Sequence, residues 1–114
     1  MSNPRRSNST TRNRIRAIVL NEEDTCHLCG GPVNKRLTHG LPGSPEVDEL
    51  IPVAHGGDPL KRTNCRLAHR WCNRKRGTAP VATAQQLIAT NPPHFTNDGH
   101  KQDTTPTPVI SRQW

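Results

Sequence analysis

Two pairs of soft metal ligands, Cys26-x2-Cys29 and His69-x2-Cys72, constrain this chain more than any other feature. A tetrahedral zinc ion takes four nitrogen or sulfur ligands, and a C-x2-C knuckle offers two of them from one turn. His69 and Cys72, at i and i+3, converge if one helix carries both. Zinc would then join segments distant in sequence. The chain needs such a staple, because only 30% of its 114 residues are hydrophobic and it has a single Phe and no Tyr. Gly30 and Gly31 follow the knuckle and let backbone amides turn toward the sulfurs. Cys65 is the competing ligand, but with Cys72 it gives a C-x6-C spacing of about two helical turns, less well placed for one ion. A redox use of the Cys26–Cys29 pair would need a βαβ setting that the sequence lacks. His27, His39, His94 and His100 fall in turns or tails and read as solvated side chains.

No apolar run approaches the ~20 residues of a membrane span, and Arg5 and Arg6 are not followed by the apolar core of a secretory signal. A reducing cytoplasm is therefore expected, where a C-x2-C pair binds metal more often than it forms a disulfide. The formal charge of +7 is concentrated: residues 1–20 hold five Arg and no acid, and residues 61–76 hold seven Lys or Arg and no acid. Such stripes suit a polyanion, since Lys and Arg displace the counterions condensed on phosphates.

Along the chain, residues 1–13 read as a flexible basic arm, 14–79 as the folded domain and 80–114 as a flexible tail in which VATAQQLIA could form a short helix. Ile15, Ile18 and Val19 predict a helix of roughly two turns ending near Asn21. Residues 34–45 read as an irregular loop and EVDELIPV as a strand that Pro52 ends or confines to an edge. A second helix is expected from Asn64 or Arg66 to Arg76, stopped by Gly77.

CHLC, VDELIPVAHGGDP, Asn64 and HRWCNRKRG, in that order over residues 14–77, together resemble a zinc-containing HNH endonuclease. The resemblance is closest to the small stand-alone HNH proteins of bacteriophages, and the ending SRQW resembles their C-termini. It implies a small zinc-stapled α+β domain of the ββα-metal (His-Me finger) type, with an N-terminal helix and flexible termini. Structural Zn2+ would be held by Cys26, Cys29, His69 and Cys72. A catalytic divalent ion would be held by Asp48 and by Asn73, which stands where the motif has its final His. Their hard oxygens favour Mg2+ or Mn2+. Asn64 matches the central Asn that braces the loop between the strands.

Glu49 departs from the pattern, because the family's general-base His normally follows the Asp. A Glu is about two pKa units less basic than a His, so the fold survives this change more securely than the activity. His55 or His39 is the alternative base. Arg70, Arg74, Lys75 and Arg76 are the residues expected to hold DNA phosphates.

The function implied is metal-dependent hydrolysis of DNA phosphodiester bonds with low sequence specificity. It implies DNA as partner, phage terminase or packaging proteins beside it, no membrane, and the host bacterial cytoplasm as location. One rival is a catalytically weak or inactive HNH-fold DNA-binding accessory protein. Another is a zinc-ribbon transcription regulator, which has no use for Asp48 or Asn73.

Overall fold

A computed structural model describes residues 9–102 as a small α+β domain of three helices and two small sheets. Helix α1 spans Ser9–Glu22, longer than the two turns expected. No Gly or Pro interrupts it, and Glu23 N–H extends its bonding to the Val19 carbonyl at 2.9 Å. Ile15 and Val19 enter the core, whereas Ile18 stays 36% exposed. Of the basic arm expected over 1–13, residues 9–13 are therefore helical, and 1–8 lie outside the described residues.

Strand β1, Pro45–Glu49, pairs antiparallel with β2, Cys65–His69, with Pro45 opposite His69 and Glu49 opposite Cys65. A proline at the first strand position removes no necessary donor. The link between the strands makes two single 3-10 turns, Val53–His55 and Arg62–Asn64.

The structure corrects the helix expected from Asn64 or Arg66 onward: Cys65–His69 is extended, and helix α2 covers only Arg70–Arg76. Cys65 and Leu67 are buried on one side of β2 while Arg66 between them is exposed, a period of two that pairing with β1 rewards over the local helix tendency. The first amides of α2 are satisfied by the preceding loop, Arg70 N–H donating to Ser44 O and Trp71 N–H to Pro42 O at 2.8 and 2.9 Å.

In the tail expected from residue 80, the short helix that VATAQQLIA offered forms, and a hairpin that was not expected follows it. Helix α3, Val81–Ala89, buries Ala84 and Ile88, which lie one turn apart, and a hairpin of β3 (His94–Phe95) and β4 (Lys101–Gln102) follows. Residues 103–114, including the SRQW ending, lie outside the described residues.

The core gathers α1 (Ile15, Val19), the knuckle (Cys26, Leu28, Val33), β2 (Leu67, Ala68), α2 (Cys72) and α3 (Ala84, Ile88). Glu23 ties α1 to β2: its carboxylate accepts from Leu67 N–H at 3.1 Å, from Arg66 Nε at 3.0 Å and from Arg62 Nη2 at 2.9 Å. Burial alone would raise the Glu23 pKa, but these donors together hold it below its ordinary value. No described helix is long and apolar enough to cross a membrane.

Candidate functional site

The knuckle is built by backbone bonds. Cys26 N–H donates to Gly31 O and Gly30 N–H to Cys26 O, both at 2.8 Å, with Gly30 at φ 80°, a conformation that a side chain disfavours. Gly31 N–H points at Cys29 Sγ from 3.4 Å. Across from it, His69 ends β2 with extended dihedrals (φ −68°, ψ 145°), and Cys72 lies in the first turn of α2. The two are not neighbours on one helix, as spacing suggested, but they still converge, with Cys72 Sγ 3.8 Å from His69 Nδ1.

Donor atoms of Cys26, Cys29, His69 and Cys72 all lie within 4.8 Å of one another. Zinc–sulfur and zinc–nitrogen bonds of about 2.3 and 2.05 Å at tetrahedral angles set ligand separations of about 3.6–3.8 Å. His69 Nδ1 is 3.3 Å from Cys29 Sγ and 3.8 Å from Cys72 Sγ, so the cluster is compatible with a structural zinc. His69 Nε2 lies 2.9 Å from the Pro32 carbonyl, a bond it makes as an N–H donor, which turns the Nδ1 lone pair toward the sulfurs. Phe95 of the hairpin stacks on the same imidazole at a centroid distance of 4.3 Å.

Electrostatics point the same way. Hydrogen bonds from Cys29 and Cys72 push the Cys26 thiol far down, and the nearby Cys26 and Cys29 sulfurs push Cys72 far up. Burial would lower the His69 pKa, yet bonds to Cys26 and Cys29 carry it up to about 10. With Cys26 favoured as thiolate, Cys72 and His69 hold their protons more tightly. A divalent cation removes that conflict by taking all the sulfurs as thiolates. Cys65 stands outside the cluster, its thiol directed at Lys61 O (3.3 Å), and burial pushes its pKa up.

Alternation along β1 sorts the acidic residues. Glu46 and Asp48 are buried and bond side chains of α2, whereas Val47 and Glu49 are less buried. Asp48 is buried, and its Oδ2 accepts from Arg76 Nη1 at 2.7 Å and from His27 Nε2 at 2.8 Å. Glu46 accepts from Asn73 Nδ2 at 2.8 Å and from Arg70 Nη1 at 3.0 Å. Among the described residues the second oxygen of Asp48 and the amide oxygen of Asn73 make no bond. Asp48, Glu49 and Asn73, with Val47, Pro52, Gly77 and Thr78, line one shallow depression of about 210 Å³. Asn64 sits in the link between the strands, where its Oδ1 accepts from Ile51 N–H and its Nδ2 donates to Ile51 O and Asp58 O.

Two expectations fail here. Arg76 does not face solvent: it is 4% exposed, and besides Asp48 its guanidinium donates to the carbonyls of Glu49, Leu50 and Ala79. It braces the domain and cannot hold a DNA phosphate. His27 is not solvated either, because its ring is buried against Asp48. Of the other basic residues, Arg70 is engaged by Glu46, Arg74 is exposed 3.8 Å from the same carboxylate, and Lys75 lies over the Trp71 ring at 5.9 Å, with Lys101 at 5.1 Å from the same ring. His55 is exposed at its turn, while His39 lines a second cleft together with Glu49.

No family profile, curated protein or solved structure matches this chain.

Proposed function

We propose that the chain is a metal-dependent endonuclease of the HNH type, hydrolysing DNA phosphodiester bonds, with a zinc clasp that is structural. The observation that carries this reading is the shared depression of Asp48, Glu49 and Asn73, set between an antiparallel strand pair and the helix that follows it. That order of strand, strand and helix is the one the HNH resemblance implies. The +7 charge and the two acid-free basic runs suit a DNA substrate.

A bound Mg2+ or Mn2+ would polarise the phosphoryl oxygen and stabilise the leaving alkoxide. Asp48 and Asn73 would present one oxygen each to that ion, the first fixed by His27 and Arg76, the second by the bond from its own amide nitrogen to Glu46. Glu49 would orient or deprotonate the attacking water from the rim of the same depression. The cytoplasm of a phage-infected bacterium, with packaging proteins as partners, is the setting this reading fits.

A second reading is favoured by one specific observation. The Asp48 oxygen that faces Arg76 and His27 is fully engaged, and with Glu in place of a catalytic His the domain could serve as a DNA-binding accessory that does not cut. The two separate in a nicking assay on supercoiled plasmid with Mg2+ or Mn2+. The enzyme reading expects nicking that Asn73→Ala and Asp48→Asn reduce at least 100-fold while circular dichroism and zinc content stay unchanged. Tight DNA binding without cutting in either metal sinks it in favour of the accessory.

A further inference from the structure

With Arg76 buried and Arg70 engaged by Glu46, α2 keeps only Arg74 and Lys75 for a phosphate chain, and a second basic surface lies on α1. A cleft of about 200 Å³ opens between α1 and β1, lined by Arg12, Asn13 and Arg16 on the helix side and by Glu46, Val47, Glu49 and His39 opposite. Ile15, Pro59 and Cys65 make its floor apolar. Arg12 and Arg16 are i, i+4 neighbours, so their side chains leave one helix face about 6 Å apart at Cβ. Both are partly buried against the cleft, whereas Arg14 between them is exposed and does not line it. Among the described residues neither Arg12 nor Arg16 forms an ion pair with a carboxylate, although Arg62, Arg66, Arg70 and Arg76 all do. Two guanidiniums at a concave wall without such a pair can take an anion, since the Glu46 carboxylate across the cleft is already held by Arg70 and Asn73.

Position narrows which anion. Val47 and Glu49 line both this cleft and the depression that holds Asp48 and Asn73, so the two sites meet at the rim of β1. A ligand spanning them must carry more than one negative group along an extended chain, with an apolar portion between the charges to lie on Ile15 and Pro59. A nucleic-acid strand has that form, with phosphates separated by sugars.

We propose that Arg12 and Arg16 form a phosphate clamp for duplex DNA, which holds the backbone phosphate next to the one presented to Asp48 and Asn73. The clamp rests on the nuclease reading only for its neighbour's chemistry; binding stands or falls on its own.

The test is fluorescence anisotropy of a short labelled DNA duplex with the zinc-loaded full chain, over a range of salt, for wild type, Arg12→Ala/Arg16→Ala and Arg14→Ala. The double variant is expected to bind at least tenfold more weakly, and the slope of log K against log salt should shrink by about 0.9 for each phosphate the variant no longer neutralises. Arg14→Ala, which loses charge from the exposed face, should stay within about threefold of wild type, showing that position and not net charge matters. Unchanged zinc content and circular dichroism certify folding of each variant. The clamp is overturned if the double variant binds like wild type, if Arg14→Ala weakens binding as much as it does, or if wild type does not bind duplex DNA. A wild type that binds through this clamp but cuts in no metal leaves the clamp standing and removes only the nuclease reading.

Discussion

Arg76→Ala is the most demanding perturbation this structure suggests. The guanidinium is 4% exposed and serves four acceptors: the Asp48 carboxylate and the carbonyls of Glu49, Leu50 and Ala79. Truncation leaves Asp48 buried with His27 as its remaining donor, and breaking a buried pair in this way costs about 3–5 kcal/mol. Three carbonyls lose their donor too, at a net ~1 kcal/mol each where water cannot replace it. Partial hydration of the vacated space offsets some of that, so the expected loss is about 4–6 kcal/mol. A domain of this size has only about 5–12 kcal/mol in all. At about 4–8 °C per kcal/mol the melting temperature should fall by roughly 20 °C or more.

Thermal denaturation of the zinc-saturated protein, followed by circular dichroism, measures this directly. Arg74→Ala is the control, because its side chain is 65% exposed and should change stability by less than about 0.5 kcal/mol. Arg76→Lys should fall between, since an ammonium cannot fork to acceptors on opposite sides. A melting temperature for Arg76→Ala within about 5 °C of wild type, combined with weakened DNA binding, would refute the brace and return Arg76 to the surface.

Other outcomes follow from the same geometry. His69→Ala should weaken zinc binding by about 100-fold or more in a chelator competition, whereas Cys65→Ala should keep one zinc per chain, because its thiol faces Lys61 O and not the cluster. Glu23→Gln should lose about 1 kcal/mol at pH 7 in urea denaturation. A folded pKa held below 4.5 stabilises the protein above that value and stops doing so as pH falls through the folded pKa, so the gap to wild type should close in acid. Gly57→Ala drives a Cβ into the Ile51 carbonyl oxygen, which forces the loop between β1 and β2 to move; a loss of at least about 2 kcal/mol is expected by the same measurement.

The Cys3His cluster is legible in the sequence because ligand chemistry and spacing survive a local misreading of structure. Spacing puts His69 and Cys72 on one helix, yet the set it selects equals the cluster that the folded chain assembles, since a strand end followed by a first helical turn also brings positions three apart together. The conformation of Cys65–His69 is not legible: CRLAH is short, and its extended form comes from pairing with β1, which local propensity does not contain. The fold of residues 80–102 is half visible. VATAQQLIA carries a helical signal in Ala84 and Ile88, but the polar hairpin after it is ordered by packing such as that of Phe95 on His69.

Arg76 carries a signal that its place in a basic run conceals: it lies four residues after Cys72, on the same inward stripe of α2. His27 offers no such signal, because only the approach of the knuckle to β1 shows that the residue after Cys26 meets Asp48.

The alternation along β1 bears on how this chain can change over generations. Even-numbered positions hold the domain together by their side chains, through Asp48 with Arg76 and Glu46 with Asn73, whereas Arg76 grips position 49 by its main-chain carbonyl. Any residue supplies that carbonyl. A substitution at position 49 therefore keeps this contact of Arg76, whereas one at 46 or 48 removes a side-chain partner. Replacing Glu49 by His would alter what the rim of the depression can do and leave the grip of Arg76 in place, so reactivity here can be gained or lost without the chain surrendering its brace.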